Sequence, residues 1–149
     1  MDGDAHPLLV LARQAIAAHV GGAVPPETNG TGEPARGCFV SLKQGEDLRG
    51  CVGTVLPTRA SLQAEVTENA VAAATRDPRF RPLTYEELTR TRISIDLLSP
   101  LDPVASADEL DPARFGLVLR AGGRTGVLLP GIPGVDSSAQ QVAVCRRKA

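Results

Sequence analysis

Leu48-Arg49-Gly50-Cys51-Val52-Gly53 is predicted to be the second strand of a β-hairpin, and the rest of the chain is interpreted outward from it. Its two glycines lack a Cβ atom, which in a strand usually marks a bulge or a close approach of another backbone. Arg49 and Cys51 are two residues apart, so in an extended segment their side chains lie on one face. This pattern predicts a cation that stabilises a thiolate.

The whole hairpin is predicted over residues 38–55, with a turn near residues 44–47. The centre of the turn sets the pairing of the two strands. A turn centred on Gln44-Gly45 places Cys38 opposite Cys51. A turn centred on Gly45-Glu46 places Val40 opposite Cys51 instead. The sequence leaves both registers open, and with them a contact between Cys38 and Cys51.

Apolar periodicity, capping residues and strand alternation predict the other elements. They are a helix from Pro7 to Gly21-Gly22, a helix capped by Ser61 that ends at Asp77-Pro78, a short helix with a capping box at Thr84, a strand over 92–98 with Ile93, Ile95 and Leu97 inward, a hairpin over 116–129, and a last helix from Ser137 or Ser138 through Lys148. Hairpins separated by helices favour an α+β fold over a doubly wound parallel sheet.

Composition narrows the function classes. The chain has 149 residues, a net charge of −1 and an aromatic content of 3%. Scarce aromatic residues and a near-neutral charge argue against nucleic-acid binding. The basic Arg146-Arg147-Lys148 run is interpreted as cations in the last turn of a helix, where they complement its dipole. No apolar run approaches the ~18 residues of a spanning helix, so no membrane association is expected.

The three cysteines and two histidines show no zinc-like spacing, and no phosphate-binding glycine motif is present. We therefore expect no metal and no cofactor. The N-terminal residues lack the pattern of a secretory signal, which predicts a cytoplasmic protein. The sequon Asn29-Gly30-Thr31 is then not expected to be glycosylated.

A catalytic Cys-His pair is poorly supported, because the two histidines, His6 and His19, lie on or before the first predicted helix.

The run LRGCVGTV, residues 48–55, resembles the LRGCIG signature of the AMMECR-one family. Further motifs follow in the order of that family: Asn69-Ala70 with Ala73-Ala74, Asp77-Pro78-Arg79-Phe80, Pro82-Leu83, Glu87-Leu88, Ile93-Ser94-Ile95, Leu98-Ser99-Pro100, Gly126-Val127-Leu128-Leu129-Pro130 and Cys145-Arg146-Arg147-Lys148-Ala149. The chain is thus identified as one AMMECR-one domain over residues 1–149, with its signature hairpin at about 37–55.

The resemblance implies paired α/β repeats around a mostly antiparallel, barrel-like sheet with flanking helices. It also implies a larger and a smaller lobe, with the signature near a cleft between them. Relatives usually continue past the position of Ala149 with a closing segment that this sequence lacks. A missing closing strand would expose a sheet edge, so a monomer and a homodimer both remain open.

Cys51 is the candidate catalytic residue, as nucleophile or redox thiol. The candidate ligand-binding residues are Arg49, Gly50, Gly53, Asn69 and Arg79. Each has an alternative interpretation. Cys51 can be a small apolar filler, and Arg49 can pair with Glu46 or Asp47 across the turn. Glu65 is either a proton acceptor or part of a solvated helix face, and Asp77 is interpreted as a turn residue.

These residues predict a cleft that binds a small anionic ligand. The resemblance implies a Cys-dependent enzyme or an accessory component that works with a Memo-like protein and a radical SAM enzyme, as protein A of the AmmeMemoRadiSam system. The alternative is a non-catalytic protein–protein interaction module in which Cys51 is structural.

Overall fold

The structure, a computed structural model, describes residues 6–28 and 33–149. The chain forms two compact units, Met1–Pro100 and Leu101–Ala149. Their unequal sizes agree with the larger and smaller lobe of the prediction. The sequon at residues 29–31 lies outside the described residues, and the assignment of one domain to residues 1–149 stays a prediction.

The first unit consists of helices packed on one face of a three-stranded antiparallel sheet. Its elements are α1 (Pro7–Gly21), β1 (Cys38–Gln44), β2 (Asp47–Thr54), α2 (Leu62–Thr75), α3 (Tyr85–Leu88) and β3 (Arg92–Leu97). The strand order is β2-β1-β3, so β1 is central. Its inward side chains Cys38, Val40 and Leu42 are fully buried.

The helix ends of this unit follow the predicted capping residues. Pro7 lies in the first turn of α1, and Gly22 ends that helix with a left-handed φ of 75°. The Ser61 side chain accepts a hydrogen bond from the Ala64 amide at 3.2 Å and caps α2. Thr84 forms the predicted capping box of α3. Alternation in β3 is only partly as predicted, because Leu97 is 37% exposed at the strand end.

The second unit is a two-stranded antiparallel hairpin with one helix. Its elements are a short 3-10 helix (Ala107–Glu109), β4 (Leu117–Ala121), β5 (Arg124–Leu128) and α4 (Ser138–Lys148). Ser137 caps α4, and the basic run occupies its last turn, as predicted. Cys145 and Gln141 are the buried residues of α4.

The α+β fold with antiparallel strands is confirmed, but the strands of residues 6–28 and 33–149 do not close into a barrel. They form two separate sheets, and the β4–β5 hairpin pairs only with itself. No helix in the described part of the chain is long and apolar enough to cross a membrane.

Both units repeat one hairpin–helix arrangement. A Cβ atom at Gly50 in β2 would collide with the Ala73 carbonyl oxygen in α2. A Cβ atom at Gly126 in β5 would likewise collide with the Cys145 carbonyl oxygen in α4. In each unit, the missing side chain lets the last turns of a helix lie directly on the strand.

Candidate functional site

The β1–β2 hairpin contains a bulge at the signature. Lys43 pairs with Leu48, whereas Leu42 pairs with Gly50, so Arg49 is left without a counterpart in β1. The bulge is the local irregularity that the glycine pattern predicted. It shifts the ladder by one residue, and every pair beyond it differs from that of an uninterrupted hairpin.

Ser41 consequently lies opposite Cys51. Gln44 pairs with Asp47, so the turn is centred on Gly45-Glu46 and the register with Cys38 opposite Cys51 is wrong. The register with Val40 in that position has the correct turn, but the bulge shifts the pairing by one residue. Cys38 lies opposite Thr54 instead, and all three cysteines are free thiols.

Close packing accounts for both glycines of the signature. Gly50 admits the carbonyl of Ala73, and a Cβ atom at Gly53 would collide with the ring of Phe39. Neither glycine has a positive φ, so the requirement at each position is steric. The structure therefore gives both glycines a packing role, and their role in ligand binding stays a prediction.

Arg49 is committed to a buried ion pair. Its side chain is 10% exposed, and its Nε and Nη2 atoms donate to the two carboxylate oxygens of Glu87 at 3.3 and 3.2 Å. Arg81 donates to the same carboxylate at 3.1 and 3.2 Å. The predicted partners across the turn, Glu46 and Asp47, are thus replaced by a residue of α3. Burial alone would raise the pKa of Glu87, but hydrogen bonds from the Thr84 amide and the two arginines lower it well below its usual range.

Asp77 joins Cys51 to Arg79. Its carboxylate is buried, and Oδ2 accepts hydrogen bonds from the Cys51 amide at 3.0 Å and from Arg79 Nη2 at 2.7 Å. Oδ1 accepts from the Arg79 amide at 3.1 Å and from its Nε at 3.0 Å. The Arg79 side chain, with the Cys51 amide, holds the pKa of Asp77 well below its usual range despite burial. Asp77 therefore bonds the local backbone, as a turn residue does, and also orients a guanidinium.

The Cys51 thiol is the most accessible of the three. It is half-buried, whereas Cys38 and Cys145 are fully buried. The Ser41 hydroxyl donates to the Cys51 sulfur at 3.3 Å. Asp77 links Cys51 to a cation, because its carboxylate accepts from the Cys51 amide and from the Arg79 guanidinium. The cation of this thiol is thus Arg79 rather than Arg49.

Asn69 and Glu65 are engaged inside the first unit. The Asn69 side-chain amide donates to the Cys38 carbonyl at 3.1 Å and to the Thr54 hydroxyl at 3.2 Å. Glu65 is 1% exposed, so the interpretation as a solvated face is wrong. Its carboxylate accepts from Thr54 and from residues of the following loop, including the Thr58 amide at 2.8 Å. Burial raises the pKa of Glu65, but these bonds lower it more. Both side chains hold the end of β2 against α2.

Phe80 lies between two guanidinium groups. The ring centroid is 6.0 Å from the Arg49 guanidinium carbon and 5.4 Å from that of Arg79, within cation–π range. We define the Cys51 site as Ser41, Cys51, Asp77, Arg79 and Phe80. Sequence reasoning missed Ser41, and no signal short of the bulge position would have found it.

The second missed residue is Glu87, the acceptor for Arg49 and Arg81. The capping box predicted its bond to the Thr84 amide, which is present at 2.9 Å, but no local pattern indicated the arginines. Within residues 6–28 and 33–149, no three His, Cys, Asp or Glu side chains are grouped as a metal site requires.

Comparison with known proteins identifies the family. The AMMECR1 family model matches residues 9–149. A protein of Thermotoga maritima is 46% identical over 114 residues, which cover 76% of this chain and 66% of the relative. A protein of Clostridium acetobutylicum is 39% identical over 114 residues, 76% of this chain and 24% of the relative. The chain thus spans less than two thirds of either relative.

A solved structure agrees with this assignment. The crystal structure of uncharacterized protein PH0010 from Pyrococcus horikoshii is 26% identical, with a TM-score of 0.83. The similarity covers 95% of this chain and 77% of that one. Family model, relatives and fold agree with the motifs around Cys51, and the chain belongs to the AMMECR1 family.

Proposed function

We propose that this chain binds a small anionic ligand at the Cys51 site, with Arg79 as the anion-binding group and Cys51 as the reacting thiol. The observation that carries the proposal is the pairing of an exposed, oriented guanidinium with an accessible thiol. The Arg79 side chain is 57% exposed, although the Asp77 carboxylate that holds it is 3% exposed.

Arg79 has hydrogen-bonding capacity left for a ligand. Its Nε and Nη2 atoms donate to Asp77, whereas Nη1 donates to no residue in the described ranges. A guanidinium presents five donors in a fixed plane, so the unused edge is held in one direction. Charge-assisted hydrogen bonds to an anion are about twice as strong as neutral ones.

The charges around the site favour an anion of low charge. Three guanidinium groups, of Arg49, Arg79 and Arg81, face two carboxylates, of Asp77 and Glu87. Both carboxylates have lowered pKa values and are ionised at neutral pH. These groups leave one positive charge in excess, which a Cys51 thiolate would offset. A singly charged anion therefore meets less repulsion at Arg79 than a multiply charged one.

Cys51 is the group that supplies chemistry in this proposal. The thiolate is the reactive form of cysteine. The Ser41 hydroxyl donates a hydrogen bond to the sulfur, which orients the Cys51 side chain. A ligand whose anionic group binds Arg79 would present its neighbouring atoms to the sulfur. The predicted cleft around the signature remains part of the proposal.

We further propose that the chain works in the cytoplasm as an accessory component beside a Memo-like protein and a radical SAM enzyme. Membership of the AMMECR1 family supports these partners through the resemblance. The three free cysteines are consistent with a reducing compartment.

A non-catalytic interaction module is the second candidate. It is favoured by the observation that the Arg49 and Asn69 side chains donate to buried groups of the same chain, and that Gly50 and Gly53 are required by packing. The variant Cys51→Ser separates the two proposals. A folded variant that retains all cellular function and partner binding would support the module.

The ligand proposal is tested by anion protection. Iodoacetamide alkylation of Cys51 is followed by mass spectrometry with acetate, phosphate or chloride at matched ionic strength. We expect an oxyanion to slow alkylation in the wild type and not in Arg79→Gln. Arg59→Gln, which removes an exposed arginine that pairs with Glu68 outside the site, is the matched control and keeps the protection. Equal protection in Arg79→Gln, or none in the wild type, contradicts the proposal.

A further inference from the structure

We infer that Asp77 is the positioning residue of this site: it couples the Arg79 guanidinium to Cys51, so that thiol and cation act as one unit. The inference deepens the proposed function, since it concerns how the same site is assembled. A structural turn residue would need only a bond to its own local backbone. Asp77 also binds a strand that is 26 residues earlier in sequence.

One oxygen atom makes the connection. Asp77 Oδ2 accepts from the Cys51 amide at 3.0 Å and from Arg79 Nη2 at 2.7 Å. The guanidinium is therefore two hydrogen bonds away from the backbone of the thiol residue. Because the Cys51 amide is occupied, it is not available to bind a charged ligand oxygen. The donor left for that purpose at this position is the free edge of Arg79.

Only a carboxylate provides these four bonds. Oδ1 accepts from the Arg79 amide and Nε, while Oδ2 accepts from Nη2 and Cys51. A carboxamide has one acceptor oxygen and would present its amino group to the guanidinium. An uncharged side chain would suffice to cap the Cys51 amide. The buried negative charge of Asp77 disfavours a nearby thiolate. The presence of this charge is therefore explained by Arg79, which the carboxylate holds in place.

Packing explains how Asp77 reaches the strand. The contact between Gly50 and the Ala73 carbonyl lays the end of α2 on β2, and α2 ends at Thr75, two residues before Asp77. The carboxylate thus arrives beside the amide of the residue that follows Gly50.

The second unit indicates that this packing does not itself require an aspartate. There the helix carbonyl against the strand glycine belongs to Cys145. The position four residues later, which corresponds to Asp77, is Ala149. The hairpin–helix arrangement is therefore compatible with a residue whose side chain has no hydrogen-bond acceptor. The Asp77 carboxylate is a feature of the Cys51 site.

A double-mutant cycle tests the coupling without any ligand. The readout is the rate of Cys51 alkylation by iodoacetamide between about pH 6 and 9, where cysteine reactivity follows the thiolate. We expect Arg79→Gln to slow alkylation at neutral pH about fivefold, the order of the effect of one nearby unit charge in a solvated site. In an Asp77→Asn background we expect the same substitution to change the rate by less than about twofold.

The same fivefold loss in both backgrounds would overturn the inference, since Arg79 would then act without Asp77. Arg59→Gln serves as the control substitution and should leave the rate unchanged in both backgrounds. If Asp77→Asn does not fold, Asp77→Ser replaces it, because it also removes the carboxylate that binds Arg79. Anion protection is measured separately, so a failure of the proposed function and a failure of the coupling give different results.

Discussion

Gly50→Ala is the most direct perturbation of the contact that assembles the Cys51 site. A Cβ atom at this position would overlap the Ala73 carbonyl oxygen and approach its carbon at 3.1 Å. Both atoms belong to the backbone of α2, so no side chain can rotate away. The substitution must displace the end of the helix from β2, and Asp77 moves with it.

The expected loss follows from two opposing effects. Overpacking in a filled interior costs roughly 1–3 kcal/mol. Alanine also restricts the unfolded chain, which stabilises a protein by about 0.4–1 kcal/mol where the backbone is compatible. Gly50 does not have a positive φ, so the second effect applies here. The free energy of unfolding should fall by about 1–2 kcal/mol, which lowers Tm by roughly 2–8 °C for a chain of this size.

Gly21→Ala is the matched control. Its Cβ atom would meet Tyr85 Cδ2 at 2.8 Å, but Tyr85 is an exposed side chain that can move. Urea unfolding of both variants, followed by circular dichroism, should show a lower midpoint for Gly50→Ala and an equal or higher midpoint for Gly21→Ala. An unchanged or higher stability of Gly50→Ala would refute the reasoning from the Ala73 contact.

Three further outcomes are expected. Glu87→Ala leaves the buried cation of Arg49 unpaired, so the free energy of unfolding in urea should fall by about 3–5 kcal/mol. Arg81→Ala, at an exposed end of the same cluster, should lower it by only about 0–1 kcal/mol. Equal losses in the two variants would contradict this. The folded-state pKa of Glu87 is lowered, so its contribution to stability is complete above its ordinary pKa of about 4.5 and is lost as the pH falls toward the lowered pKa. Glu87→Gln should therefore reduce the decrease of Tm at acid pH. An unchanged decrease of Tm would count against this role of Glu87. Mass-spectrometric alkylation should modify Cys51 before Cys38 and Cys145, whose pKa values are raised chiefly by burial; simultaneous reaction would show that unfolding controls all three.

Most elements of the fold could be predicted because their signals are local. Pro7 and Gly22 bound α1, and Ser61, Thr84 and Ser137 cap the next three helices. Each signal acts over a few residues, where hydrogen bonds between a side chain and its own helix dominate. The closure of the sheet depends on which strands meet across the chain, and the barrel-like arrangement was not recovered.

The site could be predicted only in part, because its contacts are not local. Cys51 and Arg79 are both candidate site residues from the sequence, and both bond to Asp77, but their chemical roles stay predictions. Arg49 was assigned to the thiol from strand alternation, but the bulge interrupts that alternation. Its actual partner, Glu87, is 38 residues away, and no periodicity in β2 indicates a residue on α3.

The repeated hairpin–helix arrangement separates the scaffold from the site. Leu42 lies opposite Gly50 in the first hairpin, and Leu119 lies opposite Gly126 in the second. Both glycines admit a helix carbonyl. A glycine that recurs with the same neighbours in two units is required by packing, so Gly50 is weak evidence for a ligand.

The next pair along each hairpin is where the units differ. Ser41 lies opposite Cys51 in the first, and Val118 lies opposite Val127 in the second. Valines provide a half-buried pair with no chemistry, which shows that this position of the scaffold needs neither a hydroxyl nor a thiol. The polar pair must therefore be explained by something other than the fold. The proposed reactivity of Cys51 beside Arg79 is one such explanation, and the alkylation experiments test it.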